Sequence, residues 1–478
     1  MVATQQQIGA RAWAKAIARP AQEFDLQPLR VLSGQIPAGL RGSLYRNGPA
    51  RLERGGLRVG HWFDGDGAVL GVHFREEGAA AVYRYVQSAG YQDEAAADQF
   101  LYGNYGMMAP GPIWERWTQQ IKNAANTSVL ALPEKLLALW EGGKPHALDL
   151  ETLETQGIDD LAELTGSLTY SAHPKVDAQS GEIYNFGVAA GANSTLNLYR
   201  SDRTGKILQK GEVQLRGVPL IHDFALAGRY LVFCIPPVRM NPLPALFGLS
   251  SFSDALRWQP KYGTQIVVVD RDTLEVVSWA DTDPWYQWHF GHGFEASDGS
   301  VVLDLVRYED FQTNRYLQEV ASGLTQTAAP SRLEQVRLDP QTGKVLSTTT
   351  LVDRTCEFPV VPLARSGQPD APTYLSIHRE GAEVGREMFG AIARFDPATE
   401  HLDVADCGDD RYPMEPIYAP DAADPSRGWV LTVVFDGATE TSEVWIYEGD
   451  RLSAGPVARL ALPSVVPMGF HGTWRSRP

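Results

Sequence analysis

The sequence of 478 residues has few cysteines and no long hydrophobic run. Its three cysteines, Cys234, Cys356 and Cys407, are odd in number and widely spaced, which is typical of a reducing compartment and excludes a thiolate metal cluster. No stretch of about 18 apolar residues is present, which excludes a transmembrane helix. The N-terminal residues also lack the continuous apolar segment of a secretion signal, so we expect a cytoplasmic protein.

Positive charge is also scarce. The formal net charge is −16 and the isoelectric point is near 5.1. Binding to nucleic acid requires clustered lysine and arginine, so nucleic acid is excluded as a partner. The hydrophobic content of 44% is ample for a packed core, and the length allows one large domain or up to about three smaller ones.

A hairpin pattern recurs along the chain: a β-rich run, a turn that begins with Asp, and a second β-rich run. Asp-Pro and Thr-Gly pairs favour such turns because proline presets φ and glycine permits positive φ. Repeats at separations of tens of residues indicate the blades of a propeller. The repeats are KVDAQSGEIYNFG (175–187), LYRSDRTGKILQ (198–209), VVVDRDTLEVVSW (267–279), VRLDPQTGKVLS (336–347), ARFDPATEHLDV (393–404) and the weaker LDLETLET (148–155).

Two segments interrupt the β pattern. Residues 113–126 (IWERWTQQIKNAAN) are predicted to form a helix, and residues 241–258 (NPLPALFGLSSFSDALRW) form an apolar excursion between strands. Long excursions from a compact fold are more often functional than accidental. They predict an apolar cap, near residues 104–126 and 237–260, that forms a substrate entrance or a membrane-dipping patch. A packed cap without either function is an equally good interpretation.

Four histidines lie in separate strand-like contexts: His173 in SAHPKVD, His222 in LIHDF, His289 in WHFGHGFE and His471 in GFHGTW. Imidazole ligands suit iron, copper and zinc better than calcium or magnesium. Only a closed fold can gather ligands that are separated by tens to hundreds of residues. These histidines therefore indicate both a metal site and a closed architecture.

Three glutamates lie beside large apolar residues: Glu141 after LLALW, Glu357 in CEFPVV and Glu415 in YPMEPIY. Carboxylates in such surroundings are rarely buried without a partner. A metal-bound histidine usually donates its second ring N–H to a carboxylate or a carbonyl. Each glutamate alone would be a rim salt bridge, but together they indicate partners for three of the four histidines.

The chain resembles the carotenoid cleavage oxygenases along nearly its whole length. The matching stretches are LYRNGP (44–49), FDGDGAV (63–69), ANTSV (125–129), LLALWEGGKPH (136–146), SAHPKVD, LIHDF, CEFPVV, YPMEPI and the terminal FHGTW. Within the family it is most similar to the cyanobacterial apocarotenoid-15,15′-oxygenases, notably at LLALWEGGKPH and in the LFGL excursion. This resemblance implies an all-β, seven-bladed propeller that spans residues 1–478 as one domain, with a helical and loop cap over the active-site face.

The resemblance also implies the site. It maps His173, His222, His289 and His471 onto four ligands of a non-haem Fe(II), and the three glutamates onto their carboxylate partners. Thr127 falls where the family has a small side chain beside a vacant coordination position. By the same resemblance, O₂ adds across a conjugated double bond, which splits into two carbonyl groups.

The third ligand motif departs from the family pattern, because His292 stands where asparagine is usual. Positions i and i+3 of a strand point to opposite faces, so only one of His289 and His292 can face the axis. The motif favours His289. Of the other histidines, His61 has no assigned role, and His73, His146, His378 and His401 are interpreted as surface or hydrogen-bonded core residues.

The leading hypothesis is an Fe(II) dioxygenase that cleaves an apocarotenoid, an aldehyde or alcohol, into carbonyl products such as retinal. A long apolar substrate requires an apolar, aromatic tunnel, for which the sequence offers Trp62, Phe63, Trp140, Leu220, Phe224 and Phe290. A stilbene-cleaving dioxygenase is the alternative, in which Lys122 and Tyr105 would hold a phenolate. A metal-free propeller that acts as a binding scaffold is a third hypothesis, from another class. The cap would let the enzyme associate peripherally with a membrane.

Overall fold

The computed structural model describes residues 11–112, 116, 121–189, 191, 193–241 and 249–477. Within these residues, seven antiparallel sheets form the blades of a β-propeller, which confirms the predicted fold class. We number the blades 1 to 7. Blade 1 contains Phe24–Pro28, Gly42–Arg51, Asp66–Arg75, Gly78–Tyr85 and Gly472–Ser476; blade 2 contains Ser128–Ala131, Leu136–Leu139, His146–Leu148 and Thr155–Ile158; blade 3 contains Lys175–Val176, Ile183–Ala189, Asn193–Ser201 and Ile207–Arg216.

The remaining four blades follow in chain order. Blade 4 contains Ala225–Ala227, Tyr230–Ile235, Thr264–Asp270 and Val276–Thr282. Blade 5 contains Tyr286–Glu295, Val301–Tyr308, Ser331–Leu338 and Val345–Val352. Blade 6 contains Cys356–Val360, Thr373–Ile377, Ala391–Asp396 and His401–Asp406. Blade 7 contains Arg411–Pro413, Ile417–Pro420, Gly428–Asp436, Thr441–Glu448, Ala458–Ala461 and the N-terminal strand Arg30–Gly34.

Short elements lie outside the blades. Two small hairpins pair Glu53–Arg54 with Leu57–Arg58 and Val238–Met240 with Leu256–Trp258. The described α-helices are Ala89–Ala97, Phe252–Ala255 and Gln312–Ser322, and the 3₁₀ helices are Ala12–Ile17, Trp62–Asp64, Pro260–Tyr262, Leu363–Arg365 and Leu452–Ala454. No helix among the described residues is both long enough and apolar enough to cross a membrane.

Both ends of the chain close the ring. The N-terminal strand Arg30–Gly34 pairs with Ala458–Ala461 of blade 7, although blade 7 is otherwise built from the last hundred residues. The C-terminal strand Gly472–Ser476 pairs with Gly42–Arg51 of blade 1. Closure removes the exposed sheet edges of an open array. It also fixes the position of His471, which directly precedes the closing strand.

Five of the six predicted turns share one backbone design, and the turn at Asp202 is one residue shorter, with positive φ at Gly205. In the sequence Asp-x-x-Thr/Ser-x, the Asp carboxylate accepts backbone N–H groups two and three residues later, as Asp177 does from Gln179 and Ser180 at 3.0 and 2.8 Å. The fifth residue has positive φ: +70° at Gly343, and 59° where Leu274 occupies the same place. Blade 7 has such a turn at Asp436 that the sequence pattern had not indicated.

The hydrophobic core is divided among the blades. Each pair of adjacent blades encloses its own cluster of buried side chains, such as Phe186, Phe224 and Phe233 between blades 3 and 4. Further clusters fill the other six boundaries. The side chains alternate along each strand, so every blade packs against both neighbours. The core therefore forms a ring and leaves the axis for polar groups.

The predicted cap is only partly described. Residues 113–115, 117–120 and 242–248 lie outside the described residues, while Arg116 is helical. The predicted helix was wrong at residues 121–126, which run without helical structure. Two asparagines explain this: Asn126 donates to the carbonyls of Phe63 and Gly65 at 2.8 and 2.7 Å, and Asn123 donates to Lys144 O at 2.9 Å. These bonds hold the backbone out of a helix, and Ala125 takes a positive φ of 46°.

Candidate metal centre and cavity

The four predicted histidines come together at the propeller axis, although they come from different blades. His289 lies within the first strand of blade 5, whereas His173, His222 and His471 precede inner strands of blades 3, 4 and 1. One ring nitrogen of each lies within 4.8 Å of the others, and all four residues are buried. The histidine spacing in sequence therefore corresponds to one residue from each of four blades.

The arrangement of these nitrogens fits a bound metal ion. The Nε2 atoms of His222 and His289 are 3.2 Å apart, a separation expected when both bind one ion at about 2.0–2.1 Å. His173 Nε2 is buried and has no hydrogen-bond partner within the described part of the chain. Burial and the neighbouring imidazoles hold the pKa of His173 and His289 well below the usual histidine range. Both rings are therefore neutral, which is the form that binds metal.

The three predicted glutamates lie directly behind three of the histidines. His289 Nδ1 is 2.6 Å from Glu357 Oε2, and His471 Nδ1 is 2.9 Å from Glu415 Oε1. His222 Nδ1 contacts Glu141 Oε1. Among the described residues, the carboxylate nearest to the His173 ring is that of Glu141, whose Oε1 is 3.8 Å from Nε2. These contacts orient the Nε2 atoms of three rings toward the common centre.

The glutamates complete a simple pattern. Glu141 belongs to blade 2, Glu357 to blade 6 and Glu415 to blade 7, so each of the seven blades supplies one histidine or one glutamate. Glu357 also accepts from Tyr308 Oη at 2.9 Å and from Phe358 N at 2.7 Å. Burial nevertheless raises the pKa of Glu357 to about 7. Glu357 is therefore held by two donors in addition to the histidine that it faces.

Arg46 and Asp223 also support the site, and the sequence analysis had missed both. The buried Arg46 donates to the carbonyl of Glu415 at 2.7 Å and has its guanidinium 3.9 Å from the Glu415 carboxylate. Asp223 follows His222, is buried, and accepts from Phe290 N at 2.9 Å and from Lys175 Nζ at 2.8 Å. Asp223 thereby ties together the segments that carry His173, His222 and His289. Its position beside a predicted ligand in LIHDF was the signal for it.

His292 lies away from the cluster, as the alternation argument predicted. It is buried beside Phe294, with a ring separation of 5.2 Å, and is not among the four grouped histidines. The strand Tyr286–Glu295 has irregular register on both sides of Phe290, yet His289 and His292 still face different directions.

An apolar cavity of about 340 Å³ reaches the four-histidine cluster. Trp62, Phe63, Trp140, Leu220 and Thr127 line it, together with His222, His289 and His471. The ring of Phe63 lies 5.3 Å from Phe470 and 5.6 Å from Trp288 in edge-on contacts. No lysine or arginine lines this cavity in the described parts of the chain. The cavity is therefore suited to a long, uncharged, apolar molecule.

The predictions for Phe224 and Phe290 were wrong, because neither ring lines this cavity. Phe290 follows His289 in a strand, so its side chain points to the opposite face and lines a separate cavity with Pro174 and Gly472. Phe224 is fully buried between blades 3 and 4, where it stacks on Phe233 at 5.2 Å. Proximity in sequence to a ligand was not sufficient to place a residue in the cavity.

The two residues of the stilbene hypothesis are separated by the fold. Lys122 is buried in an ion cluster, with its Nζ 2.7 Å from both Asp66 and Glu94, and it does not line the cavity. Tyr105 does line the cavity, and its hydroxyl donates to Asn314 Oδ1 at 2.8 Å. Neither side chain is free to hold a phenolate.

Thr127 lies at the base of the cavity. Its hydroxyl donates to Asn126 Oδ1 at 3.1 Å, and its carbonyl accepts from His471 N at 3.2 Å. Thr127 is thereby linked to the loop that carries the last histidine. Of the residues interpreted from sequence as surface or core, His378 instead lines the cavity.

Comparisons with known proteins agree with this geometry. The sequence profile of the retinal pigment epithelial membrane protein family matches residues 17–476. The chain belongs to this family of carotenoid oxygenases. Apocarotenoid-15,15′-oxygenase of Synechocystis is 30% identical over 98% of this chain and 97% of its own length. Resveratrol cleavage oxygenase 1 of Aspergillus fumigatus is 27% identical over 95% of this chain and 93% of its own length.

A solved structure extends the likeness to three dimensions. The cobalt-substituted apocarotenoid oxygenase of Synechocystis superposes with a TM-score of 0.88 at 29% identity, covering 98% of both chains. Membership of the carotenoid oxygenase family makes this chain an enzyme, so the hypothesis of a non-catalytic scaffold was wrong. Apocarotenoid-15,15′-oxygenase and resveratrol cleavage oxygenase 1 act on different substrates, so family membership does not by itself define the substrate.

Proposed function

We propose that this carotenoid oxygenase cleaves one conjugated double bond of an apocarotenoid with O₂ and yields two carbonyl products, such as retinal. The observation that carries the proposal is the apolar cavity that is lined by three of the four clustered histidines, His222, His289 and His471. Both oxygen atoms of O₂ are accounted for, because one C=C bond is replaced by two C=O bonds.

His173, His222, His289 and His471 would hold an Fe(II) ion, and the three glutamates would fix the orientation of their rings. When bound, the iron supplies the means to activate O₂. The protein positions the substrate, because the aromatic walls around Phe63 and Trp62 hold the polyene and exclude water from its double bonds. Thr127 limits the space beside the cluster, which keeps the substrate from filling it.

The apolar wall favours a polyene over a hydroxylated stilbene. A buried phenolate requires a nearby cation, yet no lysine or arginine lines the cavity in the described parts of the chain, and Lys122 is already paired with two carboxylates. The hydroxyl of Tyr105 is likewise engaged with Asn314. The likeness to a resveratrol-cleaving enzyme therefore follows from the shared fold rather than from these contacts.

Product analysis tests the proposal. The iron-loaded enzyme would be offered an apocarotenal and a hydroxystilbene in parallel, with ¹⁸O₂ as the oxygen source. We expect two aldehydes from the apocarotenal, each of which carries label before exchange with water, and little product from the stilbene. Preferential cleavage of the stilbene would contradict the proposed substrate.

We further propose that the enzyme takes its substrate from a membrane surface while remaining a cytoplasmic protein. Ile121 lines the cavity and is 63% exposed, and Leu249 in the second excursion is also 63% exposed. Leu246 and Phe247, which the sequence assigned to the same patch, lie outside the described residues. Apolar side chains at a tunnel mouth can enter the interfacial region of a bilayer.

Replacing Ile121 and Leu249 by Ser tests this. We expect a larger loss of activity on vesicle-borne substrate than on detergent-solubilised substrate, because only the former requires contact with a bilayer. The same substitution at Leu208, which is 58% exposed on an outer strand of blade 3, is the matched control. Equal loss in vesicles and detergent would show that these side chains only hold the cap in place.

A further inference from the structure

His378 is an unusual residue in the wall of the cavity. It follows the strand Thr373–Ile377 of blade 6, and its side chain is buried, with 6% exposure for the residue. Its backbone N–H donates to Thr355 O at 3.0 Å. Its Nδ1 atom is buried without a hydrogen-bond partner among the residues that the structure describes. An unsatisfied buried imidazole is costly, so a residue of this kind requires an explanation.

Three tyrosine hydroxyls of the same wall have protein partners, whereas Nε1 of Trp62, like Nδ1 of His378, is buried without one among the described residues. The hydroxyl of Tyr308 donates to Glu357 at 2.9 Å, that of Tyr316 to Glu387 O at 3.3 Å, and that of Tyr412 to Glu387 Oε2 at 3.2 Å. These hydroxyls are therefore engaged in holding the wall. The imidazole of His378 makes no such hydrogen bond within the described part of the chain. Because its Nδ1 is enclosed by protein atoms, Nε2 is the nitrogen that can face a molecule in the cavity that His378 lines.

The surroundings of His378 select an uncharged partner. Burial, with a smaller effect from the charge of Arg354, lowers the pKa of His378 to about 4. A neutral imidazole has one N–H donor and one acceptor nitrogen. It suits a carbonyl or hydroxyl oxygen, whereas a carboxylate would require a cation. Thr355, which also lines the cavity, adds a hydroxyl to the same region of the wall.

A line of aromatic rings connects His378 to the metal centre. The ring of His378 lies 4.9 Å from Phe389, Phe389 lies 6.4 Å from Phe358, and Phe358 stacks on His289 at 5.5 Å. All four residues line the cavity. A polyene could therefore lie along the two phenylalanine rings with one end at His378 and a double bond beside the four histidines.

We propose that His378 binds the neutral oxygen atom at one end of the polyene substrate and so determines which double bond reaches the metal centre. This inference rests on the proposed apocarotenoid cleavage and names the group that would set its position. His378 is a specificity residue here, since it contacts the end of the substrate and not the reacting bond.

Anaerobic binding to the iron-loaded enzyme tests the inference, because binding without O₂ is measured apart from turnover. The probes are a polyene aldehyde, the corresponding alcohol and a hydrocarbon of the same length. Their binding is measured by the quenching of tryptophan fluorescence. In His378→Leu we expect Kd for the aldehyde and the alcohol to rise about 3- to 10-fold, the loss of one hydrogen bond, while Kd for the hydrocarbon stays unchanged. His378→Gln, which restores a donor, should recover part of the loss.

Two further measurements sharpen the test. The same substitution at His401, which is exposed on the last strand of blade 6, is the matched control, and thermal midpoints establish that every variant folds. On admission of O₂, His378→Leu should cleave the aldehyde at more than one double bond. Suppose that the wild type binds the polyenes and that His378→Leu either weakens binding of all three probes equally or does not weaken it. This result would overturn the present inference alone. Failure of the wild type to bind any polyene would overturn the proposed function as well.

Discussion

Two buried polar clusters in this protein differ in how their charges are balanced. In the first, which we call the ion cluster, Lys122 lies 2.7 Å from Asp66 and from Glu94, and Arg54 lies 2.9 Å from Asp66. Two cations thus meet two anions. In the metal centre, three glutamates support the imidazoles, Arg46 lies 3.9 Å from Glu415, and Lys175 is paired with Asp223. With these four carboxylates ionised and two cations beside them, two negative charges remain for a bound cation to neutralise.

The difference separates a structural cluster from a functional one. An ion cluster that is balanced internally needs no ligand, and it fixes the segment that follows residue 120 to the helix Ala89–Ala97, which carries Glu94. A cluster with surplus negative charge is costly in a buried site unless a cation completes it. Most members of both clusters are buried, although the side chain of Glu141 is 31% exposed. The balance of charges distinguishes the two clusters more clearly than burial does.

The largest expected effect comes from removing a histidine of the metal centre. His289→Ala should abolish turnover and metal retention, because the remaining nitrogens no longer enclose the ion. Added Fe(II) or Co(II) should raise the thermal midpoint of the wild type, since a ligand bound only by the folded state stabilises it, and should leave that of the variant unchanged. Metal content by elemental analysis provides the second measurement, with exposed His401→Ala as control. Stoichiometric iron in His289→Ala would contradict the assignment.

The ion cluster should respond through stability and not through metal. Lys122→Met leaves Asp66 and Glu94 with Arg54 as the remaining nearby cation, and we expect a loss of about 3–5 kcal/mol in the free energy of unfolding. Denaturant titration of the metal-free protein measures it. The double variant with Glu94→Gln should recover part of that loss, because one buried negative charge is removed with the positive one. A loss below about 1 kcal/mol, or a parallel loss of iron affinity in the folded variant, would break the distinction between the clusters.

The smallest effect is expected from a carboxylate behind a histidine. Glu357→Gln keeps the shape of the side chain and can still accept from Phe358 N, yet it removes the charge that His289 Nδ1 faces. Metal affinity should fall about 10- to 100-fold, as is usual for such partners, with little change in unfolding. Competition with a chelator measures this, and Glu275→Gln on an exposed turn of blade 4 is the control. An unchanged affinity would mean that Glu357 has only a packing role.

Local patterns in the sequence predicted the parts of this protein that depend on local chemistry. The Asp-initiated turns fix their own backbone through side-chain bonds within three residues, so five of them were visible as a repeat and implied a propeller. The histidines and glutamates were visible because polar residues in apolar, strand-like contexts are rare. The family motifs joined these observations into one site, and the structure brings the same seven residues together.

Other features depended on contacts that no local pattern records. The predicted helix failed at residues 121–126 because Asn123 and Asn126 bond to distant carbonyls. Phe290 was misplaced because consecutive residues of a strand point to opposite faces, so the residue after His289 faces away from the cavity. Phe224 was misplaced because its ring packs between blades 3 and 4. Tyr105 lines the cavity, whereas Lys122 is paired with Asp66 and Glu94 outside it. These ion pairs join residues that are distant in sequence, so no local pattern indicated them.

The sequence by itself determined the blades, the donor atoms of the metal centre and the apolar character of the cavity, because each follows from residue type and short-range pattern. Only the tertiary structure decided which polar groups are left without partners. Arg46, Asp223 and His378 lie far apart in sequence from the groups that define their roles. Whether a charge or a hydrogen-bonding group has a partner depends on its three-dimensional surroundings. Those surroundings distinguish the metal centre, the ion cluster and the cavity wall at His378.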